Sequence, residues 1–138
     1  MPYTVEIRET VPLPVAETFA RLADHNRLSS ILGLPVRRTH DGEGDPNGVG
    51  SVRTLGVWPV DFDETVTKFE PASRIEYKIS RGTPLRDHYG IVRFTPKGAG
   101  TEVAWTIRFE LGVPVLGRVI KQGLNFGISR GLRKLGKN

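Results

Sequence analysis

Residues 50–111 contain five consecutive segments in which apolar and polar side chains alternate, and this run constrains the fold more than any other feature. Side chains alternate between the two faces of a β-strand, so a period of two residues marks strands with one buried face. Turn-forming stretches rich in Gly and Pro separate the segments. The pattern predicts an antiparallel sheet built from the strands 50–57, 60–69, 74–80, 87–95 and 101–111.

A strand and a helix precede this run. Residues 4–11 alternate in the same way, and two prolines end the segment. The second of them, Pro14, is well placed near a helix start, and the helix is predicted to continue to about residue 24. Its apolar face consists of Val15, Phe19, Leu22 and Ala23.

The next segment is short and irregular. A second helical turn is predicted at residues 26–32, ending at Gly33. Residues 35–39 follow, and residues 41–48 are rich in Gly, Asp and Pro, which is typical of a surface loop.

The chain ends in a long helix that begins near Pro114. The order of elements predicts an α+β fold in which a curved antiparallel sheet wraps around this C-terminal helix. Such a sheet leaves space that a ligand usually fills, so the sequence also predicts a cavity. The apolar residues at helical spacing are Leu116, Ile120, Leu124, Ile128, Leu132 and Leu135.

This predicted helix contains four glycines, and each interior glycine costs a helix about 0.5–1 kcal/mol relative to alanine. Three explanations of these glycines are open. They allow a neighbouring backbone to approach closely, or they leave space for a ligand between helix and sheet. The third is that the helix frays beyond the last glycine. Basic residues interrupt the apolar run, which excludes a membrane small-residue motif. The glycines are Gly117, Gly123, Gly127 and Gly131.

The composition indicates one domain, residues 1–138, that is long enough to bury a core. There is no cysteine, so neither a disulfide nor a thiolate metal site is expected. We find no signal peptide and no apolar run of the roughly 20 residues that a membrane span needs. We therefore expect a soluble protein of the cytoplasm, either a monomer or a homodimer.

The net charge of +5 is unevenly distributed. All 15 acidic residues lie at or before Glu110, whereas residues 111–138 contain six basic residues and no acidic one. A basic helix end complements the helix dipole and needs no partner. The alternative is weak contact between the last helix and an anionic membrane.

Several stretches together resemble the START-like superfamily, in its polyketide cyclase/dehydrase-like (SRPBCC) branch. They are the leading strand, residues 11–24 (VPLPVAETFARLAD), 48–53 (GVGSVR), 64–66 (ETV) with 70–71 (EP), 74–77 (RIEY) and 90–105. The resemblance covers nearly the whole chain. It implies a helix-grip fold, with seven antiparallel strands, two short helices after the first strand and a long C-terminal helix across the concave side. Family members use the cavity for lipids, polyketides, isoprenoid quinones or other apolar molecules.

Arg53 and Glu64 are the first candidates for a polar site in this cavity. A hairpin turning near residues 57–59 makes them near neighbours, and Glu64 shares the predicted inner face with Phe62 and Val66. A buried carboxylate needs a partner or a raised pKa, and a guanidinium is well suited to pair with it. The alternative is a salt bridge on the solvated face without function.

Four further side chains complete the candidate ligand-binding set. His88 is in register with Val92 and Phe94, so it faces the cavity as a general acid or base, or is a solvated residue at a strand end. Tyr77 and Trp105 lie on the buried face and suit either the core or the cavity wall. Trp58, at a hairpin tip, either gates the cavity or forms a contact surface, or folds back onto its own hairpin.

Other kinds of site find no support in the sequence. The histidines lack metal-ligand spacing, and no glycine loop for phosphate is present, so we expect no metal and no cofactor. Nucleic-acid binding is not expected, because the aromatic residues fall on the buried face of the sheet.

Three functions remain open. The first is binding of a hydrophobic or amphipathic small molecule, oriented by Arg53, Glu64, Tyr77 and His88. The second is a cyclase, aromatase or dehydratase acting on a polyketide-like substrate, with His88 and Glu64 moving protons and Arg53 stabilising an enolate. The third is a lipid or quinone carrier that touches anionic membranes through its last helix.

Overall fold

The computed structural model describes residues 2–58, 61–82, 86–111 and 114–135, and only the backbone of residues 114–116. These residues form seven strands and three helices. In chain order they are β1 (Pro2–Val11), α1 (Val15–Ala23), α2 (His25–Leu32), β2 (Val36–His40), β3 (Val52–Leu55), β4 (Phe62–Glu70), β5 (Arg74–Arg81), β6 (Arg86–Lys97), β7 (Gly100–Glu110) and α3 (Pro114–Leu135).

The strands form one sheet in the order β1-β7-β6-β5-β4-β3-β2, and every neighbouring pair is antiparallel. Consecutive strands from β2 to β7 are neighbours, whereas β1 pairs with β7. The predicted α+β fold is confirmed: a curved seven-stranded antiparallel sheet, two short helices after the first strand and a long C-terminal helix.

Local sequence explains the two short helices. Pro14 precedes α1, whose apolar face is buried at Phe19, Leu22 and Ala23. Asp24 separates the helices, and its carboxylate accepts a hydrogen bond of 2.9 Å from the backbone N–H of Asn26, which caps α2. Helix α2 ends at Gly33, which has a left-handed φ of 73°.

The inner face of the sheet carries the apolar residues that the alternation predicted. In β7 every second side chain from Thr101 to Phe109 is buried, and in β5 Ile75 and Tyr77 are buried. Ile128, Leu132 and Leu135 of α3 join the same core, so α3 packs against this face.

Strand β3 is shorter than the predicted segment 50–57. Gly50 and Gly56 both have positive φ angles, 88° and 94°, which extended strand backbone does not adopt. Between them Ser51, Arg53 and Leu55 are buried as the alternation predicts, but Thr54 on the other face is buried too. Pro59 and Val60, at the predicted turn and strand start, lie outside the described residues.

The predicted fraying beyond Gly131 is wrong, because α3 continues to Leu135 and buries Leu132 and Leu135. The side chain of Leu116 lies outside the described residues. Within the part of the chain that is described, no helix combines the length and apolar character needed to cross a membrane.

Candidate functional site

A cavity of about 70 Å³ lies between the inner face of the sheet and the three helices. The sheet contributes side chains from β3 to β7, and α1, α2 and α3 contribute leucines and an isoleucine. Most of its wall is apolar, which suits a hydrophobic ligand. Its polar side chains are Arg53, Glu64, Tyr77, His88 and Trp105.

Arg53 and Glu64 face each other inside this cavity. The antiparallel register of β3 and β4 places the two residues directly opposite one another. Both are buried, with 3% and 5% of their surfaces exposed, and Nη1 of Arg53 lies 3.5 Å from Oε1 of Glu64. The predicted proximity is confirmed, and the alternative of a solvated salt bridge is excluded.

The guanidinium of Arg53 also holds three other parts of the chain. Its Nη2 donates to the carbonyl oxygens of Ala23 (3.0 Å) and Asn47 (3.3 Å), and its Nε donates to the Ser51 hydroxyl (3.3 Å). Its Nη1 faces Glu64, so four of the five N–H groups of Arg53 are directed at protein oxygens. Arg53 therefore ties β3 to the end of α1 and to the preceding loop.

Burial dominates the protonation of Glu64. It raises the pKa of this carboxyl to about 7, although the charge of Arg53 acts in the opposite direction. Glu64 therefore retains its proton at pH values where an exposed glutamate is ionised, and the protonated form donates as well as accepts hydrogen bonds.

Tyr77 and Trp105 form a buried polar contact in the apolar wall. The indole Nε1 of Trp105 donates a hydrogen bond of 3.0 Å to the Tyr77 hydroxyl. Gly90 is opposite Tyr77 in the register of β5 and β6, and a Cβ at this position would overlap the Tyr77 ring. A glycine at position 90 is thus needed for the tyrosine ring to lie where it reaches Trp105.

A β-bulge presents His88 to the cavity. Arg86 pairs with Glu110 and Tyr89 pairs with Arg108, so Asp87 and His88 together oppose the single residue between those partners. Asp87 has a positive φ of 49°, which is uncommon for a residue other than glycine. Bulges of this kind re-aim side chains and are frequent beside functional sites.

The His88 ring is largely buried, and its environment keeps it neutral. Burial lowers the pKa of the imidazole to about 4, so it does not titrate around neutrality as the sequence suggested. Its Nδ1 is buried without a hydrogen-bond partner among the described residues. An unpaired polar atom in a cavity wall is a candidate contact for a ligand.

A second recess of about 130 Å³ adjoins the cavity between α3, α2 and the β3–β4 hairpin. Gly123 and Gly127 line it, and a Cβ on either would meet no atom within 4 Å. Gly117 and Gly131, in contrast, lie against the Tyr3 ring and the Ile31 backbone. Close packing therefore accounts for Gly117 and Gly131, whereas Gly123 and Gly127 border open space, and ligand space at this pair stays a prediction. The side chains shared by cavity and recess are Leu32, Leu55, Phe62, Leu124 and Ile128.

Residues 2–138 match the family model described as "Polyketide cyclase / dehydrase and lipid transport". The chain belongs to this family. The resemblance found in the sequence is confirmed over essentially its whole length.

Solved structures share the fold of this family member. The protein TTHA0849 from Thermus thermophilus is 18% identical with a TM-score of 0.76, over 94% of both chains. Ara h 8.0201 is 19% identical with a TM-score of 0.70, over 96% of this chain and 95% of its own. Norcoclaurine synthase from Thalictrum flavum, solved with dopamine and hydroxybenzaldehyde, is 12% identical with a TM-score of 0.70. The match covers 98% of this chain and 86% of the synthase chain. At these identities the likeness shows the fold alone. Among curated proteins none matches this chain in sequence.

The structure brings five of the six candidate residues of this family member together. Trp58 is the exception: its side chain is 81% exposed and is not part of the cavity wall. It has therefore not folded back onto its hairpin, and a contact surface is the use that its position leaves open. Sequence reasoning missed the contribution of α2, whose Leu28 and Leu32 line the cavity. Their helical spacing was the available signal.

Proposed function

We propose that this protein binds a hydrophobic or amphipathic small molecule in the cavity between the sheet and α3. The observation that carries the proposal is an apolar cavity whose wall contains five polar side chains from neighbouring strands. Few polar groups in an apolar wall orient a ligand while burial of its body supplies affinity. In support, norcoclaurine synthase, which shares the fold, was solved with two small aromatic compounds. The proposed place of action is the cytoplasm.

Native mass spectrometry of the purified protein tests this proposal, with denaturing extraction of whatever co-purifies. Added ethylbenzene serves as a second, purely apolar probe. Leu124→Trp fills the space shared by cavity and recess, whereas Val119→Trp changes an exposed position of the same helix. We expect the first variant alone to lose the ligand and the probe. Absence of any binding by the unmodified protein, or equal binding by both variants, contradicts the proposal.

Substitutions at Glu64 and His88 distinguish binding from acid–base catalysis in the same cavity. For a binding protein, Glu64→Gln and His88→Ala leave ligand affinity within a few-fold of the original. For a cyclase or dehydratase they lower turnover about 10²–10⁴-fold. Because the structure leaves His88 neutral at pH 7, a catalytic role for it would be that of a base.

A second candidate function is a carrier that takes its ligand from anionic membranes, and the outer face of α3 favours it. Val119 and Phe126, 60% and 70% exposed, are two turns apart on this helix. The described part of α3 contains no acidic side chain. Exposed apolar residues among basic ones are typical of helices that lie on membrane surfaces. Its exposed basic residues include Arg118, Lys121 and Arg130.

Vesicle co-sedimentation tests this second candidate. We expect binding to phosphatidylserine-containing vesicles, none to phosphatidylcholine alone, and loss of binding at high salt because the attraction is electrostatic. Phe126→Ser should weaken it, while Val49→Ser, at an exposed apolar position outside α3, should not. Failure to bind at low salt removes the carrier function but leaves cavity binding intact.

A further inference from the structure

The charged side chains of the cavity wall, Arg53 and Glu64, already interact with other groups of the protein. Arg53 directs four N–H groups at Ala23, Asn47, Ser51 and Glu64, so it offers little positive charge to a ligand. His88 is neutral at pH 7, and no other basic side chain lines the described cavity wall. An anionic ligand would enter the cavity without a free cation to meet it.

An anion would also meet the carboxyl group of Glu64. Moving a carboxylate from water into an apolar wall is costly unless a cation and hydrogen bonds compensate it. With Arg53 committed and Glu64 alongside, no cation is available to compensate it. The site therefore disfavours carboxylates although it contains an arginine.

Two neutral polar groups, in contrast, have unused hydrogen-bonding capacity. The Tyr77 hydroxyl accepts from Trp105, and its own proton has no acceptor among the described residues. The buried Nδ1 of His88 has no partner there either. They lie on the adjacent strands β5 and β6 and both line the cavity. A hydroxyl or carbonyl group would satisfy them, which removes the cost of leaving them unpaired.

The available volume limits the body of the ligand. The cavity and the recess measure about 70 and 130 Å³ and share five side chains. A dry apolar cavity of about 150 Å³ binds benzene. The cavity alone is thus too small for a ring, so a ring must extend past the shared side chains into the recess.

We propose that the site selects a small, neutral ring compound carrying a hydroxyl or carbonyl group over a carboxylate of similar size. The polar group contacts the Tyr77 hydroxyl or His88, and the ring extends past Leu124 toward the recess. This inference rests on the proposed function, whose ligand class it specifies.

Titration with three probes of similar size tests the inference: 4-ethylphenol, 4-methylbenzoate and ethylbenzene, at pH 7.5. The indole N–H of Trp105, which donates to Tyr77, reports binding directly in ¹H–¹⁵N NMR spectra. Since the chain has two tryptophans, Trp58→Phe leaves Trp105 as the single indole signal. We expect 4-ethylphenol to shift this signal and to bind at least about tenfold more tightly than 4-methylbenzoate.

Two tyrosine variants locate the polar contact. Tyr77→Phe should weaken binding of 4-ethylphenol about 3–10-fold and leave that of ethylbenzene unchanged, because one hydrogen bond is lost. Tyr89→Phe, on the exposed side of β6, should change neither. The comparison of the three probes on the Trp58→Phe protein needs no change at Tyr77 and stands even if Tyr77→Phe does not fold.

The outcomes separate the inference from the proposed function. Equal or tighter binding of 4-methylbenzoate overturns the selectivity for neutral ligands while cavity binding stands. Equal binding of ethylbenzene and 4-ethylphenol overturns the polar contact. If none of the three probes binds, the inference is overturned, whereas the proposed function is overturned only if native mass spectrometry also finds no co-purified ligand.

Discussion

Arg53 shows how one side chain serves two purposes inside this cavity. Its charge faces Glu64 at 3.5 Å, but its other N–H groups hold the end of α1 and the loop before β3. The sequence predicted a residue that orients the ligand, and the hydrogen bonds indicate a residue that organises the wall. The polar groups left for a ligand are then Glu64, Tyr77 and His88.

The protonation of Glu64 predicts a pH dependence of stability. The carboxyl titrates near 4.5 in the unfolded chain and near 7 in the folded protein, so between these pH values the folded state binds more protons. Its contribution to the free energy of unfolding therefore decreases as the pH rises. In urea denaturation, the free energy of unfolding of the unmodified protein should fall by about 2–3 kcal/mol between pH 5 and 8 on account of Glu64, and this fall should be absent in Glu64→Gln.

His88 has the opposite effect on stability, but it is present in both proteins. Its effect therefore cancels when the free energy of unfolding of Glu64→Gln is subtracted from that of the unmodified protein. The pKa of His88 is lowered to about 4, so its contribution to stability rises with pH from about 4 to 6.5. Glu70→Gln, at the exposed end of the same strand as Glu64, is the control and should keep the original pH profile. An unchanged profile in Glu64→Gln would contradict the burial of an ionisable carboxyl.

Gly90→Ala should disrupt the contact between Tyr77 and Trp105. The added Cβ overlaps the Tyr77 ring, and overpacking in a filled core typically costs about 1–3 kcal/mol. We expect that loss in urea denaturation, together with a changed Trp105 indole N–H signal. If both stay as in the unmodified protein, the close approach of Tyr77 to Gly90 is not what positions the ring.

At the scale of elements, α3 combines two kinds of glycine in one helix. Gly117 and Gly131 lie where another part of the chain comes close, at the Tyr3 ring and the Ile31 backbone. Gly123 and Gly127 face the recess, where a Cβ added to either would have no atom within 4 Å. The glycines lower the intrinsic stability of the helix. They permit close packing near its two ends and leave open space in its middle.

Alanine substitution separates the two kinds. Gly123→Ala should stabilise the protein by about 0.5–1 kcal/mol, because the helix gains propensity and nothing obstructs the methyl group. Gly131→Ala should destabilise it by about 1–3 kcal/mol, because the methyl group meets the backbone carbonyl of Ile31. Thermal denaturation of both variants is the measurement. Changes of the same sign would contradict the difference between the glycines.

At the scale of the whole molecule, the two ends of the sheet are unequal. Strand β7 lies between β1 and β6 and pairs over most of its length with both. Strand β3 has only four residues, and its partner β2 is a short edge strand with an irregular register at Arg38–His40. Toward the β2–β3 end, Leu55 and Phe62 line both the cavity and the recess.

This asymmetry predicts uneven local stability. Hydrogen exchange measured by mass spectrometry should be slowest in residues 100–110 and clearly faster in residues 36–55, since short, sparsely packed elements open with less free energy. A ligand in the recess should slow exchange in residues 36–55 more than in β7. Uniform exchange across the sheet would contradict this difference in local stability.

Residue patterns predicted most of the elements, their order and most inner faces, because alternation and helical spacing are local properties of the chain, but they left β2 unassigned. They also made Arg53 and Glu64 near neighbours, because a hairpin brings its two strands side by side, but the direct pairing of these two residues came from the structure. The bulge at Asp87–His88 was not predicted, because it depends on the pairing of β6 with β7.

The surroundings of the candidate residues depend on the folded chain. Whether Arg53 has free N–H groups depends on the carbonyl oxygen of Ala23, which is 30 residues away in sequence, and on the fold of the loop that contains Asn47. The protonation of Glu64 and His88 depends on how many helix and strand side chains exclude water from them. Trp58 stays outside the cavity although its sequence position suggested a gate. Burial is a property of the whole packed molecule, and local patterns in the sequence do not specify it.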